Sequence, residues 1–374
     1  MNNFRFIDFI NEGGNVVING IGSQKIYFSE IGIKDIRMKC FNLFEELNKI
    51  FFRKYNEYLW DDINSIKSGY SYNGSTSFIM DQNISPKEIL KYKKSAGDID
   101  ITIPVEYSKK LYFLFKELEN KKIKDFEFIG QNRTSPDKLG QEINTIFKLH
   151  TPTKSFNIQI DFEFVEYQNG RPTEWSKFYK GSSFLDMKSD IKGLFHKILL
   201  SRIVHTLYKA PDVIIATDKS SWDKIRIKVT HDEPSIKKLS GTKGLVTGIE
   251  PLKDPNGNQV YYDNKRVFKE IDQNDFSKDI ESIFLALFKG KGSKSDMWSF
   301  IGVCNLLKTK EPKFIKEVLN KFVISLFNPK AKKLSKTPEE DYTIKMNAYN
   351  KFVEITNISM PNIDNITKKY YDSF

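Results

Sequence analysis

Two short alternating runs constrain this chain more than any other feature. The first is Gly97-Asp98-Ile99-Asp100-Ile101-Thr102-Ile103, and the second sets Ile158, Ile160, Phe162 and Phe164 between Gln159, Asp161 and Glu163. Side chains of a strand alternate between the two faces of a sheet. Asp98 and Asp100 therefore share one face while their isoleucine neighbours share the other. The second run repeats the pattern, with Asp161 and Glu163 on its polar side. Placed side by side, the two strands gather Asp98, Asp100 and Asp161 into one acidic patch over an apolar core. Such a patch repels itself unless cations fill it. Hard divalent ions with oxygen ligands suit it, Mg²⁺ above all. Two such ions about 3.5–4 Å apart can clamp an in-line displacement at phosphorus.

Upstream stands Gly74-Ser75-Thr76. A Gly-Ser turn, then an Asp-x-Asp strand, then a third Asp on a later strand resembles the polymerase-β-like nucleotidyltransferase superfamily. Gln159 to Glu163, Thr173 to Phe178, and Ile191 to Lys197 look like segments of bacteriophage nucleotidyltransferase-like proteins. The resemblance implies an α+β fold whose nucleotidyltransferase core is a mixed β-sheet with flanking helices. It implies Asp98, Asp100 and Asp161 as ligands of Mg²⁺ in a two-metal site, with Mn²⁺ able to substitute. Asp161 would also help activate the attacking hydroxyl, and Gly74 and Ser75 would hold the triphosphate. A helix after the third Asp would add a basic group, for which Lys192 is the expected residue.

The implied activity is metal-dependent transfer of a nucleoside monophosphate from an NTP to an acceptor hydroxyl, with release of pyrophosphate. The acceptor expected from the charge distribution is a nucleic-acid end. The alternatives are a non-catalytic phage structural or binding protein on the same fold, and a toxin-like nucleotidyltransferase acting on tRNA or protein. The stretch between Ser75 and Asp98 is longer than in many superfamily members. Ser85-Pro86-Lys87-Glu88 within it reads as the start of a helix. Lys91, Lys93 and Lys94 follow, expected either at the triphosphate or on a solvated helix end. Glu163 shares the face of Asp161 and is expected either as a ligand or neighbour of the site or as a solvent-facing or lysine-paired acid, and Asp81 and Asp186 as structural or exposed acids.

Net charge is +11, and its distribution says more than its size. Twelve lysines fall between Lys289 and Lys336, against only Asp296, Glu311 and Glu317. A surface of this kind suits a polyanion, so RNA or DNA is the expected partner of 289–336. The window has no arginine, which points to phosphate contact rather than base reading. Four histidines and two cysteines show no metal-ligand spacing and argue against a zinc site of Cys/His type. Cys40 and Cys304 sit in apolar helical patterns and read as buried thiols of a reducing compartment. No apolar run reaches the length of a membrane span, and Met1-Asn2-Asn3-Phe4-Arg5 lacks the pattern of a signal peptide. A cytoplasmic protein is expected, inside an infected host cell if phage-encoded.

Along the chain, residues 1–33 read as a hairpin or two small strands, from Gly13-Gly14 through Ile18 and then Ile26 to Phe28. Ile36, Cys40, Leu43, Phe44, Leu47, Ile50 and Phe51 form an amphipathic helical stripe. Tyr107 to Asn120 reads as a second helix. Strands are expected at Phe126–Ile129, Ile143–Leu149 and Phe156–Phe164, with a polar loop Gln131–Leu139 between the first two. A helix is expected from Lys188 to Tyr208, placing Lys192 and His196 one turn apart with His196 half-buried. Strands at Val213–Ala216, Ile225–Val229, Leu245–Ile249 and Val260–Tyr262 make an accessory β-rich element. Helices at Ile280–Phe288, Met297–Leu307, Phe314–Phe327 and Pro338–Thr356 follow. The division expected is a catalytic domain over 1–212, the β-rich element over 213–272 and a basic helical domain over 273–374.

Overall fold

The computed structural model describes residues 16–137, 142–181, 183–210, 213–218, 226–228, 235–241, 243–273, 278–328, 331, 333–335 and 337–372. The expected Gly13-Gly14 turn lies outside the described residues, as do Lys138, Leu139, Ser182, Ile225, Val229, Lys330, Lys332 and Lys336. The architecture is α+β. It divides into two compact units, Met1–Asp190 and Ile191–Phe374.

The first unit is built on one mixed sheet. Its strands lie in the order Asp98–Pro104, Ser155–Val165, Glu142–His150, Phe126–Gln131 and Lys122–Ile123. The first two run parallel, and every later pairing is antiparallel. One face is apolar throughout. Ile99, Ile101, Ile103, Phe147, Ile160 and Phe162 pack there against helices Ile33–Tyr55 and Ser108–Leu118. Both helices reach the same aromatic ring: Phe162 meets Phe44 at 6.3 Å and Phe115 at 4.9 Å, ring centre to ring centre. Edge-to-face geometry at these distances suits the quadrupoles of the rings. The other face carries the polar half of each alternating run.

Ser85 caps the helix Pro86–Tyr92 by accepting from the Glu88 backbone N–H, as its sequence signals. The N-terminal hairpin pairs Val17–Ile18 with Ile21–Gly22 around Asn19 and Gly20, both at positive φ. Ile26–Tyr27 does not extend it and pairs instead with Ser95–Ala96. The long stretch between Ser75 and Asp98 thus folds back into two short helices, Thr76–Met80 and Pro86–Tyr92, and a strand.

Among the described residues, the second unit has a six-stranded sheet. The order is Arg226–Lys228, Val213–Asp218, Lys265–Gln273, Gly244–Pro251 and Lys237–Ser240, with Tyr261–Tyr262 paired to Lys265–Gln273. Helices Gly193–Leu207, Ile280–Phe288, Phe300–Leu307, Pro312–Leu326, Pro338–Thr356 and Ile363–Tyr371 belong to the same unit. Within the second unit, helix Gly193–Leu207 lies against Pro312–Leu326 and Lys237–Ser240.

Several element limits differ from expectation. Asp190 adopts a left-handed conformation (φ 53°) and interrupts the expected Lys188–Tyr208 helix, which starts only at Gly193. Strands Lys237–Ser240 and Lys265–Gln273 were hidden by their many charges. The expected Met297–Leu307 helix is a 3-10 turn, Lys294–Trp298, followed by Phe300–Leu307. Ser299 between them is extended and caps the second by accepting from the Gly302 N–H at 2.8 Å.

Candidate metal centre

The parallel pairing sets Asp100 directly beside Asp161 and Asp98 beside Gln159. Partners in register project to the same side of a sheet. One carboxylate oxygen from each of Asp98, Asp100 and Asp161 lies within 4.8 Å of the others. The antiparallel neighbour adds Asn144 beside Asp161 and Glu142 beside Glu163.

Asp161 is buried at 3 % exposure, which leaves its charge little water. Burial is the main reason its carboxyl is held well above the usual carboxylate range. The charges of Asp98 and Glu142 push it the same way, while hydrogen bonds from Asn144 and Gln159 pull part of the shift back. Glu142 is raised too, first by burial and then by Glu163, with Lys180, Asn144 and Arg133 opposing. Without added cations the patch is therefore an unfavourable place for its own charges.

The Gly-Ser turn reaches this face through backbone pairing. Thr102 donates its N–H to Ser71, Tyr72 bridges Ile101, and Asn73 donates its N–H to the Asp100 carbonyl at 3.1 Å. Gly74 follows at φ 54°, a conformation that favours glycine. A Cβ on Gly74 would stand 2.7 Å from Asp100 Oδ2, so the turn lies hard against the acid. Ser75 accepts a hydrogen bond from the Lys93 ammonium. Of the three lysines ahead of the acids, Lys93 thus meets the turn, Lys91 pairs with Glu88 at 2.8 Å, and Lys94 bonds the Leu90 carbonyl.

Other residues of this face escaped sequence reasoning. Lys180 pairs with Glu163 at 3.3 Å, and Asn73 donates its Nδ2 to the same carboxylate. Lys177, half-buried beside them, bonds the Tyr72 carbonyl. Its burial pulls the ammonium down to about 8, against the charge of Glu163. Nothing in the local pattern of Glu174–Lys180 signals this, because the helix reaches the acids through tertiary contacts, among them the bridge between Gly74 and Gly181. Gln159 could have been found, since its alternation with Asp161 already sets it on the acidic face.

Of the remaining expected residues, Lys192 and His196 belong to the second unit and Asp186 to the first. Lys192 lies in the second unit as an exposed residue with extended backbone (φ −73°, ψ 139°), just before helix Gly193–Leu207. It is not a helical neighbour of His196, as the sequence spacing suggested, because the helix starts after it. His196 is fully buried rather than half-buried, with Nε2 2.7 Å from the Met297 carbonyl. Asp186 is buried.

The donor set fits a hard divalent cation. Three carboxylate oxygens converge, and on the turn that pairs with the strand of Asp100 the buried Asn73 Oδ1 has no hydrogen-bond partner. Comparison of the chain with protein-family models, with curated proteins and with solved structures returned no match.

Proposed function

We propose that this chain is a metal-dependent nucleotidyltransferase on a polymerase-β-like core. Asp98, Asp100 and Asp161 would hold Mg²⁺, and the enzyme would move a nucleoside monophosphate from an NTP to an acceptor hydroxyl. The observation that carries the reading is the convergence of these three acids at the edge of a Gly-Ser turn. Bound divalent ions would supply charge neutralisation at the phosphates and a more acidic acceptor hydroxyl. The residues themselves do the positioning, which is most of what phosphoryl transfer requires of a protein. Gly74 allows close backbone approach to a phosphate. Ser75, already in contact with Lys93, offers a hydroxyl at the same edge.

The acceptor proposed is a nucleic-acid end. The first unit holds 27 basic against 26 acidic residues and the second 32 against 22. Nearly all of the net charge thus resides in the unit that lacks the acid cluster. A polyanion would be held by its phosphates and without sequence preference.

Thermal unfolding tests the metal and nucleotide part. Mg²⁺ with a non-hydrolysable NTP stabilises the folded state by about 2.7 kcal/mol at a hundred times the Kd. A unit of this size should then gain several degrees. Asp98→Asn should lose the gain. An equal gain in wild type and variant would contradict the assignment of the acids. No gain in either would favour a binding or structural protein on the same fold.

A further inference from the structure

Gln159 is almost fully buried, at 1 % exposure, and every polar atom of its amide is engaged. Its Oε1 accepts from the Val16 backbone N–H and from Ser23 Oγ, each at 3.3 Å. Those two donors fix which end of the amide faces which way. Nε2 must then face Asp161, and it donates to both carboxylate oxygens, at 3.0 Å to Oδ1 and 2.8 Å to Oδ2.

Val16 and Ser23 are the two ends of the N-terminal hairpin, closed by a bond from the Ser23 N–H to the Val16 carbonyl at 3.0 Å. The next residue fastens this base to the strand that carries Asp161. Gln24 donates its N–H to the Asn157 carbonyl at 2.8 Å, and its Oε1 accepts from the Asn157 N–H at 3.1 Å. Ile18 packs with Ile129 and Ile146, and Ile146 stands opposite Gln159 in the sheet. The hairpin, more than 130 residues away in sequence, thus reaches Asp161 through one side chain.

We infer that Gln159 is a positioning residue: its amide, locked by the hairpin, holds both oxygens of Asp161 in place for cation binding. The inference rests on the metal reading of the acid cluster. A carboxylate offers about four lone-pair sites, so two donated bonds leave room for cations on both oxygens. Gln159 also prepays the ordering of a side chain that two neighbouring acids repel. Partners of this kind commonly change metal affinity about 10–100-fold when removed.

The test is titration of the full chain with Mn²⁺ alone, followed by electron paramagnetic resonance, well below the unfolding temperature. Gln159→Met keeps the side-chain length and removes both halves of the bridge. It should weaken Mn²⁺ binding by about tenfold or more. Ser23→Ala removes only one bond that orients the amide and should weaken it by about threefold. A merely structural glutamine would lower the unfolding temperature and leave the Mn²⁺ affinity of the folded protein unmoved. Wild-type affinity in Gln159→Met, with Asp161→Asn unable to bind, overturns the positioning role alone. If Gln159→Met does not fold, wild-type affinity in Ser23→Ala overturns it. No Mn²⁺ binding by the wild-type chain overturns the metal reading and the positioning role together.

Discussion

At the scale of single residues, the polar face of the first sheet sets charge against charge. Asp161 is the extreme case, buried and facing Asp98 and Glu142. Its raised protonation range means that protons compete with cations for it. Cation affinity should therefore fall as pH falls, about tenfold per pH unit once Asp161 is protonated. Mn²⁺ titrations at falling pH check this, and an affinity that stays flat down to acid unfolding would show that Asp161 is not a ligand. Gly74 gives a second test. Alanine there meets Asp100 Oδ2 and must adopt a positive φ, which alone costs about 1–2 kcal/mol. Gly74→Ala should displace the Asp100 carboxylate and weaken Mn²⁺ binding along with stability. A stable variant with wild-type affinity would show that the turn is not fitted to the acid.

At the scale of elements, alternation made much of the acid-bearing sheet legible. A strand that must bury Ile158, Ile160, Phe162 and Phe164 on one side has no choice about where Asp161 points. Coupling between the two faces follows from this. Phe162→Ala empties a space shared by Phe44, Phe115 and Phe147, and should cost about 3–5 kcal/mol in denaturant unfolding of the first unit. A loss below about 1 kcal/mol would mean that the aromatic cluster does not hold the sheet. What stayed hidden had physical causes. Strand Lys265–Gln273 carries Lys265, Arg266, Lys269, Glu270 and Asp272, so its apolar positions are too few to mark it. Helix Gly193–Leu207 continues an apolar stripe back past its true start, and the left-handed Asp190 and extended Lys192 mark the break. Lys180 and the Val16–Ser23 hairpin reach the acids through tertiary pairings that leave no local signal.

At the scale of the whole molecule, the two units differ in chemistry. The acids converge in the nearly neutral unit, and the excess positive charge lies in the other. Nucleic-acid binding should weaken steeply with salt. Replacing Lys289, Lys291 and Lys313 by glutamine should lower the salt slope by about 0.7 for each single-strand phosphate that is no longer neutralised. An unchanged slope would place the binding surface elsewhere. The second unit also has its own pH response. Burial holds the His196 imidazole down to about 4, neutral against the Met297 carbonyl, while the unfolded chain takes up its proton near 6.5. Stability from this group is complete above pH 6.5 and is lost as pH falls to about 4, at most about 3 kcal/mol. Denaturant unfolding should lose this slope in His196→Gln; an identical slope would exclude His196 as its source.

Chemistry at the three acids is the most direct test of the proposed function. The decisive measurement is label transfer from each α-labelled NTP, with Mg²⁺ or Mn²⁺, to total RNA, single-stranded DNA and protein offered together. Asp98→Asn/Asp100→Asn serves as the control. The wild-type chain should place label on nucleic acid, and the control should place none. Folded wild-type protein that transfers no label with any nucleotide, or label that persists in the control, would contradict the assignment.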